Sequence, residues 1–331
     1  MVVKRDNERA RTDRPRAGPA NTKRAKDERA KDERAEDQQA KDRPANDQRA
    51  ATFAEHRRYL FAVAYRMLGV AADAEDVVQD AWLRFAAARS GEIEHPRTYL
   101  VTIVTRLCID LQRSARRRRE EYVGTWLPEP VPTEEALADD RLESAESVSF
   151  AFLLMLERLT PLQRAVLVLY EVLDYSHDEI ARVVGGTVAA SRQALRRARQ
   201  RVEDVSLPTS APPDDAPDLV DRFLAAARSG DVTGIMSALA PDVVLMSDGG
   251  GQVPAVRYPL TGSEQVTRFF AGISRLAGHE RTVAAQLNGQ PALLVHEEGM
   301  LTNAFLFQLA GDRIAAIYVV RSPAKLARLS A

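Results

Sequence analysis

The chain has 331 residues, 45% hydrophobic and 28% charged, the make-up of a globular protein with room for about two domains at roughly 150 residues each. No apolar run nears the ~18 residues a membrane helix needs, the charged stretch from Lys4 excludes a secretory leader, and a single cysteine, Cys108, with five histidines excludes an internal disulfide and argues against a Cys/His zinc site. The net charge of −1 divides into +4 (1–50), +2 (51–125), −5 (126–213) and −2 (214–331), so local clusters rather than the total bear on nucleic-acid binding.

Residues 1–50 repeat a five-residue pattern from Arg24 (RAKDE, RAKDE, RAEDQ), whose alanines step around a helix without forming a stripe. This reads as a disordered charged tail. Residues 51–122 read as a helical domain. Phe53, Leu60, Phe61, Val63, Ala64 and Met67 recur at helical spacing up to Gly69, and helices are expected at 73–88 and 97–118. Residues 123–147 form a Pro- and acid-rich linker. A second helical domain, 148–206, is expected to hold helices at 149–158, 162–173, 177–184 and 188–203. The Pro-rich stretch 207–217 separates it from 218–331. There, helices near 218–229, 233–239 and 263–276 accompany strands near 242–247, 253–258, 282–288, 292–297, 302–309 and 313–320, an α+β domain with a mostly antiparallel sheet.

The segment Tyr175–Val202 carries the clearest chemistry. Ser176 and Glu179 form a capping box. Ile180, Val183 and Val184 supply a buried side, Gly185 and Gly186 a turn, and Thr187 a cap for the next helix. That helix carries Arg192, Gln193, Arg196, Arg197, Arg199 and Arg201, with Ala190, Ala194, Leu195 and Ala198 for packing. A capped helix, a glycine turn and an arginine-rich helix make a helix-turn-helix, with Arg192 and Gln193 placed to read base edges and Arg196, Arg197 and Arg199 to reach bases or phosphates.

The helix from Arg97 to Arg119 has an apolar stripe (Leu100, Ile103, Val104, Leu107, Leu111). Beside it runs an uncommitted polar one (Tyr99, Thr102, Arg106, Asp110, Arg113) that leads into Arg116–Arg119. It is either a second nucleic-acid contact or a bundle helix with a basic C-terminal cap. Cys108, among Leu107, Ile109 and Leu111, reads as packing.

These residues resemble an extracytoplasmic-function sigma factor, the small bacterial type with only the second and fourth sigma regions. DAEDVVQDAWLRF (Asp73–Phe85) is similar to the family's polymerase-binding helix, with Ala74, Val78, Ala81 and Phe85 inward and Asp76, Gln79, Asp80 and Leu83 outward. The resemblance implies that this outward face docks on the clamp helices of the polymerase beta-prime subunit. It also implies that Tyr99, Thr102, Arg106 and Arg113 take part in melting and reading the minus-ten element, where single-stranded bases need aromatic and basic partners. LERLTPLQRAVLVLYEVLDYSHDEIARVVG is similar to the fourth region, and Arg192, Gln193, Arg196 and Arg197 fall where the family contacts the minus-thirty-five element.

The remaining hundred or so residues resemble a SnoaL-like, nuclear-transport-factor-2-like α+β cone. One sigma subgroup with this domain carries a WLPEP motif, here Trp126, Leu127, Pro128, Glu129 and Pro130, and a DGGG motif, here Asp248, Gly249, Gly250 and Gly251. Its NPDKL signature stands here as Ser322-Pro323-Ala324-Lys325-Leu326, departing at two positions. The resemblance implies a non-enzymatic, cytoplasmic, monomeric initiation factor that partners core polymerase and promoter DNA and is regulated in cis by its appended domain. It implies no cofactor, metal or membrane. Trp126 in a Pro-rich segment should dock on that domain or on polymerase, and the three glycines serve either close backbone approach or a plain hairpin turn. The alternatives are a small-ligand sensor or an enzyme in the cone, for which Asp242, Asp248, His279 and His296 are the acid–base candidates, and a one-component repressor that binds DNA without polymerase.

Overall fold

The computed structural model of the chain describes residues 47–88, 93–120, 122, 124–136, 148–202, 216–273 and 281–330, with residues 115–120, 216 and 217 described in backbone only. Most of the charged repeat, the side chains of Arg116–Arg119, the linker segment 137–147, the Pro-rich 207–215 and His279 lie outside what is described. The chain divides into Met1–Ala51 and Thr52–Ala331, and the three domains lie in the second unit.

The first helical domain comprises residues 52–68 of helix α1 (47–68), with α2 (Ala71–Ala87) and α3 (Pro96–Glu120). From Tyr59 to Leu68 every residue of α1 is buried, a helix enclosed on all sides rather than amphipathic. Even Arg66 is enclosed, its guanidinium donating to Ala62 O and, across the fold, to Ala136 O at 3.0 Å. Desolvation lowers its pKa to about 10, so the group stays charged at neutral pH. Cys108 is buried on α3, and burial pushes its thiol far above the ordinary range.

After a short linker helix, α4 (Thr133–Ala136), the second domain comprises α5 (Phe150–Leu156), α6 (Pro161–Leu167, continuing as a π turn over Val168–Val172), α7 (His177–Val184) and α8 (Val188–Val202). Both helix starts read from sequence are realised. Ser176 and Glu179 close a capping box on α7, Gly185 ends that helix at φ +74°, and Thr187 accepts from Ala190 N at 3.1 Å. The two helical domains share one core, in which Leu60, Val104 and Ile109 meet Leu156, Val166, Leu169, Ile180 and Leu195. Arg164 crosses the joint, donating to Met67 O at 2.7 Å while pairing with Glu157 at 2.8 Å.

The third domain opens with α9 (Ala216–Ser229) and α10 (Val232–Ala238). A six-stranded sheet follows: β1 (Leu239–Asp248), β2 (Leu260–Thr261), β3 (Arg281–Leu287), β4 (Gln290–Glu297), β5 (Met300–Ala310) and β6 (Arg313–Val320), with α11 (Ser263–Ile273) after β2. The order is β2-β1-β6-β5-β4-β3, antiparallel except for the parallel β1–β6 pair. The strand expected at 253–258 is a loop. Pro254 offers no N–H to a ladder, and the turn at Gly249–Val253 carries the chain away before β2 re-pairs with β1.

Strand alternation gives the sheet two functional faces. Val243, Leu245, Phe307, Ile317 and Val319 point to α9–α11, where Phe223, Phe270 and Phe307 pack edge to face. Leu306, Ala316, Tyr318 and Val320 form the other face, which with Leu326 of α12 (Pro323–Leu326) packs on Leu127 of the linker and Phe150 of α5. Among the described residues no helix is long and apolar enough to cross a membrane and no cluster of potential metal ligands occurs.

Removing the α7 cap with Ser176→Ala is expected to cost about 1 kcal/mol. Urea titration should show a lower midpoint, and amide exchange should show the loss concentrated in the first turn of α7.

Candidate functional site: exposed helix faces and a linker clasp

On α2 the inward set is Ala71, Ala74, Val77, Val78, Ala81 and Phe85. Asp76, Gln79, Asp80 and Leu83 lie on the exposed face, and Leu83 is 57% exposed, a large apolar side chain in a ring of polar ones. On α8, Arg192, Gln193, Arg196 and Arg197 are exposed, and the buried stripe is Ser191, Ala194, Leu195 and Ala198. Ala190, expected to pack, is exposed; its place inward is taken by Ser191, whose hydroxyl meets His177 Nδ1 at 2.9 Å. Desolvation, then Arg192 and Arg199, hold the His177 pKa below its ordinary value. Arg199 is exposed but engaged, donating to Glu171 Oε1 and lying 5.6 Å from the Tyr170 ring. Such a surface pair is worth little and is readily exchanged for a phosphate.

The polar stripe of α3 divides. Tyr99 is 37% exposed with its ring 6.3 Å from Phe85, Thr102 donates to Thr98 O, and Arg113 pairs with Asp110 in solvent. Arg106 departs from the expected uncommitted stripe. Its Nε donates to Val183 O at 2.9 Å and its Nη2 to Arg182 O at 3.1 Å. These carbonyls lie in the last turn of α7, where a helix leaves acceptors without intrahelical partners and carries partial negative charge. The side chain bolts the first helical domain to the helix-turn-helix.

The WLPEP segment lies between α1–α2 and the third domain. Leu127, Pro128, Glu129 and Pro130 are buried, Trp126 half-buried. Glu129 caps α2 from a distance: α2 begins at Val70 with no side-chain cap of its own, and Glu129 Oε2 accepts from Ala71 N at 2.8 Å and Ala72 N at 3.3 Å. Burial raises the Glu129 pKa, opposed by those two N–H donors. Its backbone is also held, N–H to Gly69 O and C=O accepting from Tyr65 Oη at 2.6 Å.

From the other side, Asp248 at the end of β1 takes hold of the linker. Oδ2 accepts from Leu127 N at 2.9 Å and pairs with Lys325 Nζ at 2.6 Å, while Oδ1 accepts from Tyr122 Oη at 2.6 Å and Gly250 N at 2.8 Å. The carboxylate is fully enclosed. Lys325 also donates to Leu127 O and sits 4.5 Å from the Trp126 ring centroid, a cation–π contact. Gly249 and Gly250 serve close approach rather than a hairpin: a Cβ would come 2.2 Å from Val253 O at the first and 2.5 Å from Ser322 Oγ at the second. At the position where the subgroup signature has Asn, Ser322 receives its place through backbone, its N–H donating to Asp248 O and its C=O accepting from Lys325 N and Leu326 N. Leu326 is buried against the same face.

Three further residues of the third domain hold the helical domains, and sequence reasoning passed over them. Asn288, fully buried at φ +53° in the β3–β4 turn, accepts from Val131 N at 2.9 Å and donates to Tyr65 Oη at 2.6 Å and Val148 O at 2.9 Å. Gln290 Oε1 accepts from Phe150 N at the start of α5, at 3.0 Å. Arg328 pairs with Glu75 on α2 at 2.9 Å and with Glu135 on α4. The one available signal was Asn288-Gly289 between alternating runs, which marks a hairpin turn and says nothing of what the Asn touches. Among the described residues the acid–base candidates do not assemble. Both Asp248 oxygens are taken, Asp242 is exposed at the start of β1, and His296 sits at the far end of β4 with Nδ1 buried and unpartnered.

Asn288→Ala should cost about 3 kcal/mol, since it strands Val131 N and Val148 O and puts in the left-handed conformation a residue that tolerates it less well than Asn. Thermal unfolding checks this, and a loss under about 1 kcal/mol would remove Asn288 from the joint.

Residues 52–118 match the family model for sigma-70 region 2, and residues 149–202 the model for sigma-70 region 4. The chain is 42% identical over 274 residues to the ECF RNA polymerase sigma factor SigJ of Mycobacterium tuberculosis, covering 81% of this chain and 86% of that protein. It is 31% identical over 287 residues to the probable ECF RNA polymerase sigma factor SigI of the same species, covering 85% and 96%. The crystal structure of the M. tuberculosis SigJ protein superposes with a TM-score of 0.68 at 33% identity, covering 84% of this chain and 98% of that one.

Proposed function

Because the chain belongs to the extracytoplasmic-function RNA polymerase sigma factors, non-enzymatic initiation factors that bind core polymerase and promoter DNA, we propose that its third domain restrains initiation in cis by clamping the linker between its sigma regions. The observation that carries this reading is the enclosed Asp248 carboxylate, which joins Leu127 N, Tyr122 and Lys325 in one hydrogen-bonded cluster. With the linker so held, regions 2 and 4 share a core and Arg106 is spent on α7.

In this proposal the α2 face of Asp76, Gln79, Asp80 and Leu83 docks on the beta-prime clamp helices. The helix is already capped by Glu129 and exposed, so docking precedes opening. Promoter engagement then draws region 4 away, freeing Arg106 to join Tyr99, Thr102 and Arg113 at the minus-ten strand. Arg192, Gln193, Arg196 and Arg197, with Arg199 once it leaves Glu171, take the minus-thirty-five duplex. The reading of the third domain as an enzyme gains nothing from its geometry, since Asp248 is committed on both oxygens.

Trp126→Ala and Asp248→Ala should each raise run-off transcription at limiting sigma factor severalfold while leaving the promoter-DNA affinity of region 4 unchanged; unchanged or lowered output contradicts restraint by these residues. Arg192→Ala should weaken promoter binding by about 1–3 kcal/mol and relax base preference at one position. Unaltered affinity and preference would take Arg192 out of the readout.

A further inference from the structure

The helix-facing side of the sheet, where a cone of this class would hold a ligand, is filled by Phe223, Phe270 and Phe307. A cavity of about 430 Å³ opens on the opposite side, between α5 and the sheet. That size is in the ordinary range for small-molecule sites. Its walls are apolar: Leu154 and Met155 from α5, Val244 and Met246 from β1, Tyr318 from β6. Arg158 and Asp242 line it too, both exposed and opposite in charge.

Gln308 brings an amide to this lining, and the orientation of that amide is fixed by a relay. Phe150 N–H donates to Gln290 Oε1, which obliges the Gln290 amide nitrogen to point onward, and it donates to Gln308 Oε1 at 2.7 Å. The Gln308 Nε2 is thereby left as a donor on a residue only 9% exposed that lines the cavity. An occupant carrying an acceptor oxygen gives this oriented donor a partner in place of solvent.

We propose that this cavity is a binding site for a mostly apolar small molecule bearing one carbonyl or carboxylate oxygen, held by the Gln308 amide with its chain along Leu154, Met155 and Met246. The site lies where region 4 meets the third domain. An occupant would touch both and stabilise their contact, so its influence on initiation rests on the restraint proposed above, whereas its occupancy does not.

Titration of the full chain, free of polymerase, with 2-decanone and with decanoate tests the site. The two probes share an apolar chain and an acceptor oxygen and differ in charge, so preference for decanoate assigns a part to Arg158 and preference for the ketone excludes it. At least one should bind saturably, with a negative heat-capacity change. In methyl spectra of the wild-type protein, Met155 and Met246 should shift while the exposed Met236 and Met300 stay. Gln308→Met should weaken binding roughly tenfold, and Ala315→Phe, which fills the cavity, should abolish it. No saturable binding of either probe, or shifts that spare Met155 and Met246, would overturn the site whether or not the variants fold. Binding without any effect on transcription would leave the site standing and count against the restraint alone.

Discussion

A carboxylate withdrawn from water must be compensated where it sits, and the joint of this molecule is organised around that requirement. Asp248 is enclosed and meets one ammonium, one phenol and two backbone N–H groups. A buried ion pair contributes little net stability over an apolar replacement, but removing one partner strands the other at a cost of about 3–5 kcal/mol. The cluster therefore works as a specifier: it is satisfied only when Tyr122, Leu127 and Lys325 converge, that is, only when linker and third domain are together. The same logic governs Asn288, whose amide is satisfied only between α1, the linker and the start of α5.

Arg106 links this joint to the chemistry proposed for promoter DNA. The carbonyl ends of α7 and a nucleic-acid backbone offer a guanidinium the same thing, closely spaced oxygens with negative potential. An arginine that serves one is withheld from the other, so in the proposed scheme the contact between regions 2 and 4 competes with strand binding. By contrast, the face of α2 proposed above to meet polymerase is left exposed while the buried end of that helix is capped by Glu129. A linker residue thus secures one end of the helix without covering that face.

Helix positions, the capping box and the outward face of α2 were legible because each is written in local spacing: 3.6-residue periodicity, a Ser and a Glu three apart, a glycine at a positive φ. The fate of Arg106 was not. A basic residue on a polar helical stripe has the same pattern whether it faces DNA or the end of another helix. Glu129 was singled out through its motif, yet its work as a remote cap for α2 depends on a contact 58 positions away. The run V-P-A-V-R-Y read as a strand at 253–258, and the missing proline N–H together with the glycine turn decided otherwise. The identity of the two sheet faces follows from alternation, but which face meets the helical domains is a property of the assembled joint.

If the third domain holds regions 2 and 4 together through the linker, their separation in the free protein depends on the Asp248 cluster. The distance between spin labels at Arg84→Cys on α2 and Ala189→Cys on α8, both exposed, tests it most directly, since Cys108 is buried and its thiol too weakly acidic to label. The free protein should give one narrow distance distribution, which broadens to longer separations when Asp248→Ala is introduced. An identical narrow distribution with and without the Asp248 carboxylate would contradict it.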